Sequence, residues 1–284
     1  MEKVLAIINP KAGTNDNANF KDLLWKYLDH SKFKLTTCLT EYAGHGKLLA
    51  EEAVNDNIDI VLAIGGDGTI NEIASSLLFS PVRLGIIACG SGNGLARHLN
   101  LPLIPKEAIE IINNTQSKTI DTGTFNDHFF LCTAGLGFEG EVSKRFEEAQ
   151  DRGLVTYGRS VLQSFGSFKA FTASTNGDTP LITYCIANAS QYGNNVLIAP
   201  DASLQDGSFN ICTLKNFSSW QLPIVTKDLL TGNIKNSNLY SSEKKTSVSV
   251  HFSRKLPAHV DGDFIGFIDD IDAKLIKQSL KVIY

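Results

Sequence analysis

The sequence predicts two joined folds, an α/β unit with a mostly parallel sheet up to about residue 118 and a mainly β unit after it. Three observations carry the expectation. Branched apolar runs alternate with segments of helical periodicity as far as residue 118; short apolar runs parted by Asn-, Gly-, Asp- and Ser-rich turns follow; and Val61 to Glu72 reads as buried strand, glycine turn and helix in immediate succession. The chain's 284 residues are enough for two domains, and 43% hydrophobic with 20% charged residues is the balance of an ordinary globular protein.

Taken in order, the first half offers strand Val4 to Asn9, a helix near Ala18 to Leu28, strand Phe33 to Thr40, helix Gly46 to Val54 and strand Ile58 to Ile64. Helix Ile70 to Leu78, strand Leu84 to Cys89 and a helix around Lys106 to Ile112 complete it. The run Ile60 to Ile64 has the unbroken, branched character of a strand covered on both faces. Behind it Ile70, Ile73, Ala74, Leu77 and Leu78 recur at helical spacing, and Thr69 with Glu72 fits the S/T-x-x-E capping box, which would start the helix at the glycines. In the second half, strands are expected at His128 to Thr133, Leu181 to Ala187, Gly207 to Leu214 and Ser247 to Phe252, with one or two helices between Glu141 and Phe171. Asp206-Gly207 and Asp261-Gly262 are hairpin signals. No low-complexity linker marks the change of pattern, so the expectation is domains over 1–118 and 119–272 with a tight cleft between them.

Charge and composition exclude several function classes. Twenty-six basic against 30 acidic residues give a net charge of −4, which argues against a broad nucleic-acid footprint and offers no general attraction to anionic membranes. Between residues 141 and 170, Lys144, Arg145, Arg152, Arg159 and Lys169 stand against Glu141, Glu147, Glu148 and Asp151, so there is no polybasic anchor. Any membrane contact must be local; the aromatic stripe from Val155 to Phe171 reads first as core. The N-terminal run Val4 to Ile8 is too short for a signal segment, and no apolar run nears the roughly 20 residues that span a bilayer. Five scattered cysteines without a C-x-x-C pair are expected as buried thiols, six histidines show no zinc spacing, and the expected location is cytoplasmic.

Three glycine-rich loops follow strand ends in the first half: Asn9-Pro10-Lys11-Ala12-Gly13, Gly65-Gly66-Asp67-Gly68-Thr69 and Gly90-Ser91-Gly92-Asn93-Gly94. Ligands of open α/β sheets sit at the carboxyl ends of strands, so the three are expected to line one cleft. Backbone N–H groups there and at the following helix N-terminus suit phosphate. Asp67 in such a nest is awkward for phosphate unless a divalent cation or a transferred proton compensates it, which points to metal-assisted phosphoryl chemistry; the bland reading is an Asx turn. A Walker-type P-loop is excluded, since no G-x-x-x-x-G-K-[ST] occurs. Gly135-Leu136-Gly137-Phe138-Glu139-Gly140 formally matches a dinucleotide fingerprint but lacks its acid, and its glycines are expected to bring the segment close to the substrate or to the other domain. Asp261 and Asp263, two apart, would share a strand face and want a cation, a basic partner or a proton, unless they are simply a hairpin turn. Asp206 alone reads as a turn residue.

Together, Asn9 to Gly13, Gly65-Gly66-Asp67-Gly68-Thr69-Ile70-Asn71-Glu72, Gly90-Ser91-Gly92-Asn93-Gly94-Leu95-Ala96 and Asp261-Gly262-Asp263 resemble the diacylglycerol kinase catalytic-domain family, which includes bacterial lipid kinases and sphingosine kinases. The resemblance holds in order over nearly the whole chain. It implies a nucleotide-binding α/β domain like that of NAD kinases and phosphofructokinases, a C-terminal β-sandwich, and a last segment, 273–284, that returns to the first domain. ATP and Mg²⁺ are the implied cofactors. By matching motifs, Asn9, Pro10, Lys11, Ala12, Gly13, Thr40, Gly65, Gly66, Asp67, Gly68, Thr69, Asn71, Glu72, Ser91, Gly92 and Asn93 would contact nucleotide, Thr40 being placed by the pattern Thr40-Glu41-Tyr42-Ala43-Gly44-His45. Asp263 falls at the proton acceptor of bacterial members, and Asp67 at the acid kept for Mg-ATP or base chemistry. Ser203, Asp206 and Ser208 match a further Mg²⁺ site, the serines through backbone carbonyls. Glu141 falls where sphingosine kinases place an acid for the substrate amine, and Asp261 is expected at the substrate.

Two departures leave the substrate open: bacterial members usually carry Glu at the position of Asp263, and the Gly-Ser-Gly-Asn loop is closer to sphingosine kinases than to the bacterial Gly-Thr-x-Asn-Asp. The implied reaction moves the γ-phosphoryl group of Mg-ATP to a primary hydroxyl of a lipid such as diacylglycerol or a sphingoid base. Its setting would be peripheral contact with the inner membrane face, without nucleic acid, a homodimer being left open. The alternatives are NAD-kinase-like phosphorylation of a soluble substrate and non-catalytic lipid or nucleotide binding.

Overall fold

A computed structural model describes residues 1–13, 19–149 and 154–284, which fall into two compact units: Met1–Asp121 with Lys277–Tyr284, and Thr122–Ile276. The expected helix start near Ala18, and Asp151 and Arg152 of the charge comparison, lie outside the described residues.

The first unit is built from β1 (Glu2–Ile8), α1 (Phe20–Tyr27), β2 (Phe33–Leu39), α2 (His45–Asn55), β3 (Ile60–Gly65), α3 (Asp67–Ser76), β4 (Arg83–Ala88), α4 (Gly94–His98), α5 (Pro105–Asn114) and the first part of β5 (Ser117–Phe125). Its sheet is parallel in the order β2-β1-β3-β4, and Lys281 and Val282 near the chain's end pair parallel with Arg83 and Leu84 of β4. Every residue of β3 is buried, as its unbroken apolar run requires. Leu24 of α1 and Ile109 and Ile112 of α5 join Ile60, Leu62 and Ile64 in one core. Because β2 lies on one side of β1 and β3 on the other, the carboxyl ends of β1 and β3 form the topological switch point at which open sheets bind ligands.

The second unit continues with β6 (His128–Phe130), β7 (Thr133–Gly137), α6 (Phe138–Glu148), α7 (Leu154–Ser167), β8 (Leu181–Ala187), β9 (Phe209–Lys215), α8 (Leu222–Thr231), β10 (Tyr240–Lys245), β11 (Ser247–Val260) and most of β12 (Asp263–Ile283). Its strands run antiparallel in the order β10-β9-β8-β7-β11-β12. Strict alternation gives the sheet two buried faces. Tyr184, Ile186, Phe209 and Ile211 pack with Phe125, Phe130 and Phe252 on one; Cys185, Ala187, Cys212 and Leu214 pack with Ile198 and Val225 on the other. A parallel α/β unit followed by a mainly β unit is the fold class the sequence predicts.

Several local expectations are corrected. The capping box at Thr69 and Glu72 does not form: α3 begins at Asp67, with Gly66 as its N-cap in extended backbone. Thr69 accepts instead from the Asn9 side chain and Glu72 from the Gly44 amide, so tertiary partners displace the local box. Asp206-Gly207 makes no hairpin, because β8 ends at Ala187 and β9 begins at Phe209; the pair turns a long connection into β9. Asp261-Gly262 does join β11 to β12, and its φ values of 47° and 95° are positive at both residues, as a type I′ turn needs. A left-handed Asp261 does not share a strand face with Asp263. The 135–140 glycines make close approaches to β8 and β11 of their own unit. A Cβ at Gly135, Gly137 or Gly140 would stand 2.6, 2.4 or 2.1 Å from the carbonyl oxygens of Tyr184, Ile182 and Pro257.

Candidate active site

At the switch point the chain leaves β1 through Asn9, whose amide donates to the Ile64 carbonyl at 2.9 Å and whose side-chain amide donates to Thr69 Oγ1 at 2.8 Å. Asn9 Oδ1 accepts from the Lys11 amide at 2.9 Å, so one side chain ties the Asn9–Gly13 loop to the first turn of α3. Thr40, just past β2, donates its amide to Ile8 at 2.9 Å and lies at the same edge.

Asp67 joins the second loop to the third. Its Oδ2 accepts from the Asn93 amide and its Oδ1 from the Gly94 amide, both at 2.8 Å. Such charge-assisted bonds are roughly twice as strong as neutral ones. They also explain how an acid stands in this glycine turn: backbone amides at the start of α4 compensate its charge. The two loops touch closely enough to demand glycine. A Cβ on Gly90 would stand 2.7 Å from Gly66 Cα, and one on Gly92 would stand 2.9 Å from Asp67 Oδ2. Asn93, at φ 53°, donates its side-chain amide to the Gly90 carbonyl at 2.8 Å, and Arg97 Nε donates to the Gly92 carbonyl at 3.1 Å. Glu72 brings in α2 by accepting from the Gly44 amide at 2.9 Å. The expected nucleotide residues from Asn9 to Gly13, Thr40, Gly65 to Thr69, Asn71, Glu72 and Ser91 to Asn93 thus belong to the carboxyl-edge loops of one sheet and the first turns of α3. First-turn amides have no carbonyl four residues back, and the helix dipole is positive there, which suits phosphate.

In the second unit, Asp263 is exposed at the first residue of β12, paired with Val260. Asp261 accepts from three backbone amides, Leu131 at 2.8 Å on Oδ2, and Cys132 at 2.8 Å and Thr133 at 3.0 Å on Oδ1. Both its oxygens therefore hold the 131–133 backbone. Glu141 Oε1 pairs with Arg145 at 2.9 Å, so a cation already sits on the acid expected to meet a substrate amine.

Ser203, Asp206 and Ser208 share one connection ahead of β9. Asp206 Oδ1 accepts from the Ser208 amide at 3.0 Å and hydroxyl at 2.9 Å, and Oδ2 accepts from Lys244 Nζ at 2.6 Å. Burial pushes the Asp206 carboxyl up, but the bonds from Lys244 and Ser208 outweigh it and hold it below the usual carboxylate range. The Lys244 ammonium thus stands on the carboxylate oxygen that the expected Mg²⁺ site would use. Among the described residues no group of three or more His, Cys, Asp or Glu side chains could hold a metal.

Sequence reasoning missed two buried groups in this unit. Both carboxyl oxygens of Glu139 and the Nε2 of His259 are buried without a hydrogen-bond partner among the described residues. Burial pushes Glu139 up to about 8, with the Thr183 hydroxyl within electrostatic reach but outside hydrogen-bond geometry; it pushes His259 down to about 4. The available signal was an acid set among glycines that press a helix onto a sheet.

Residues 3–125 match the diacylglycerol kinase catalytic domain, and residues 133–284 match the YegS C-terminal NAD kinase beta sandwich-like domain. The diacylglycerol kinase of Bacillus subtilis (strain 168) is 27% identical over 279 residues, covering 94% of this chain and 92% of its own. That of Staphylococcus haemolyticus (strain JCSC1435) is 26% identical over 281 residues, covering 94% and 84%. A crystal structure of a diacylglycerol kinase from Bacillus anthracis str. Sterne superposes with a TM-score of 0.74 at 22% identity, covering 100% of this chain and 97% of that one. The class is therefore a two-unit phosphotransferase, a kinase whose parallel-sheet unit carries the glycine-aspartate-glycine loop. The chain belongs to the family of the YegS C-terminal NAD kinase beta sandwich-like domain, which it joins to a diacylglycerol kinase catalytic domain, and it is a lipid kinase.

Proposed function

We propose that the protein transfers the γ-phosphoryl group of Mg-ATP to the primary hydroxyl of a membrane lipid, with diacylglycerol as the acceptor. The Asp67 clasp is the observation that most supports an ATP site. It fixes the Gly65–Thr69 turn against the Gly90–Gly94 loop at the switch point, where α3 presents its N-terminus. The nucleotide's phosphates lie on the first-turn amides of α3, and the metal arrives with ATP as part of the substrate. Catalysis in phosphoryl transfer is mostly alignment and charge neutralisation, which a pre-tied loop cluster provides.

Asp263 is the proton acceptor in this reading, and its side chain, shorter than glutamate, works by closer approach or through water. Asp67 positions the loops, because both of its oxygens already hold amides. Diacylglycerol is preferred to a sphingoid base because Glu141 is paired with Arg145, which leaves an incoming amine to compete with a guanidinium. No helix among the described residues is long and apolar enough to cross a membrane; in this proposal the lipid is taken at the membrane surface.

The test is transfer from γ-labelled ATP with Mg²⁺ to mixed micelles of diacylglycerol, sphingosine, ceramide or phosphatidylglycerol, and to soluble NAD. Label in diacylglycerol is expected. Label in sphingosine would overturn the choice of lipid, label in NAD alone would overturn the lipid acceptor, and ATP binding without label in any would favour a binding protein.

A further inference from the structure

One face of the second unit's sheet carries a row of residues in register across five strands: Ser242 on β10, Cys212 on β9, Cys185 on β8, Gly135 on β7 and His259 on β11. Directly paired residues point to the same face with their Cβ atoms about 5 Å apart. Gly135 leaves a gap in that row, and α6 fills it: Glu139 Oε1 lies 3.0 Å from where a Cβ on Gly135 would stand. The Glu139 carboxyl is therefore set between its row neighbours Cys185 and His259. Tyr192 completes the cluster, its ring meeting the His259 ring edge to face at a centroid distance of 5.8 Å.

The protonation of both groups follows from their surroundings. His259 Nδ1 accepts from the Gly262 amide at 3.4 Å, so in the neutral ring the hydrogen sits on Nε2, which lacks a partner among the described residues. Burial pushes Glu139 up to about 8, which favours the protonated acid, with one O–H, at pH 7. A buried polar hydrogen without an acceptor costs about 1–3 kcal/mol, so an acceptor oxygen set against the Nε2–H and the carboxyl O–H would be held by both. Phe138, Ile182, Ile198 and Leu214 lie in the adjoining core, and the hydroxyls of Thr183, Tyr157 and Tyr192 are the polar groups near Glu139.

We propose that Glu139 and His259 form a buried pair of hydrogen-bond donors that receives an uncharged carbonyl oxygen, the ester carbonyl of the acyl lipid. This rests on the lipid-kinase reading above and deepens it, since it makes the pair a determinant of acyl-ester specificity. A charged headgroup would have to be desolvated there, whereas a carbonyl asks only for donors.

The test compares dioctanoylglycerol with its dioctyl ether analogue, which has the same hydroxyl and chains but no carbonyl, in wild type, E139L, E139Q and H259F. Thermal melts establish that each variant is folded. Wild type should show the lower KM for the ester. E139L and H259F should each raise that KM roughly three- to tenfold, toward the value for the ether, as loss of one neutral hydrogen bond implies. E139Q keeps an N–H donor and should keep the ester preference. An ester-to-ether ratio that E139L and H259F leave as in wild type would overturn the proposal and reduce the pair to a site for a bridging water. Loss of the preference in E139Q as in E139L would also overturn it, by showing that the ionised carboxylate is what acts. If wild type phosphorylates neither lipid, the acceptor reading fails. Calorimetric binding of the same ester and ether to the same variants then decides the subsite by the same ratio.

Discussion

At the scale of single residues, most acids in the candidate sites are already engaged. Asp67 shows the consequence. Replacing it by Asn leaves one acceptor for two amides and turns an N–H₂ toward one of them, so D67N should loosen the 90–94 loop and raise the KM for ATP by about tenfold or more. Steady-state kinetics with varied ATP check this; a D67N enzyme with unchanged ATP KM and a collapsed kcat would instead make Asp67 the base. Glu139 and His259 set a pH dependence of stability. Glu139 is raised from 4.5 to about 8, so its contribution is complete below pH 4.5 and is lost as pH rises through 8. His259 is lowered from 6.5 to about 4, so its contribution is complete above 6.5 and is lost as pH falls through 4. Tyr157, Cys185, Cys212 and Tyr192 also surround Glu139, and burial raises them as well, so all four are neutral at neutral pH and none supplies a cation to it. At about 1.4 kcal/mol per unit, E139Q should remove several kcal/mol of the stability lost between pH 5 and pH 9. Urea unfolding at both pH values measures it, and a wild-type-like alkaline loss in E139Q would contradict the assignment.

At the scale of elements, glycine loops and their anchors decide which strand ends can meet. G90A places a methyl 2.7 Å from Gly66 Cα, backbone against backbone, so the two loops must part and ATP binding should fall with only a modest loss of stability. Equilibrium ATP binding tests it, and wild-type affinity in G90A would mean that the loops are not held in contact. D261A removes the acceptor of three amides at 131–133, and at about 1–3 kcal/mol for each buried amide left unsatisfied it should lower the melting temperature sharply. The strands and helices of the first unit were legible because β3 is buried throughout and the helices carry apolar faces. The Asp67 clasp was not, because its partners lie 26 and 27 residues away and a sequence shows spacing but not contact. The five-residue α4 is too short for any period to announce it. The Asp206-Gly207 pair misled for the opposite reason: a turn dipeptide fixes the local bend but not which strands flank it.

At the scale of the molecule, the chain passes into the second unit along β5 and comes back along β12, so the final residues belong to the first unit's core. Leu280, Val282 and Ile283 are each 1% exposed or less, and the Ser279 carbonyl accepts from Phe79 at 2.7 Å. Deleting Lys277–Tyr284 should therefore destabilise the first unit, by about 1.5–3 kcal/mol for each of those side chains, although the deletion lies far from it in sequence. Hydrogen exchange at β3 and β4 would report it, and protection equal to wild type would contradict it. The fold class, an α/β pattern followed by a mainly β pattern, was readable from the change of hydrophobic grammar. The different settings of two neighbouring acids were not, because Glu141 and Glu139 look alike in sequence, while one meets Arg145 and the other is buried over Gly135. Lipid phosphorylation with Asp263 as the base stands or falls on steady-state turnover of dioctanoylglycerol by wild type and D263N: kcat should fall by about 10²–10⁴ while the KM for ATP stays within about threefold. Turnover by D263N at the wild-type rate, or no phosphorylated lipid from wild type, would contradict it.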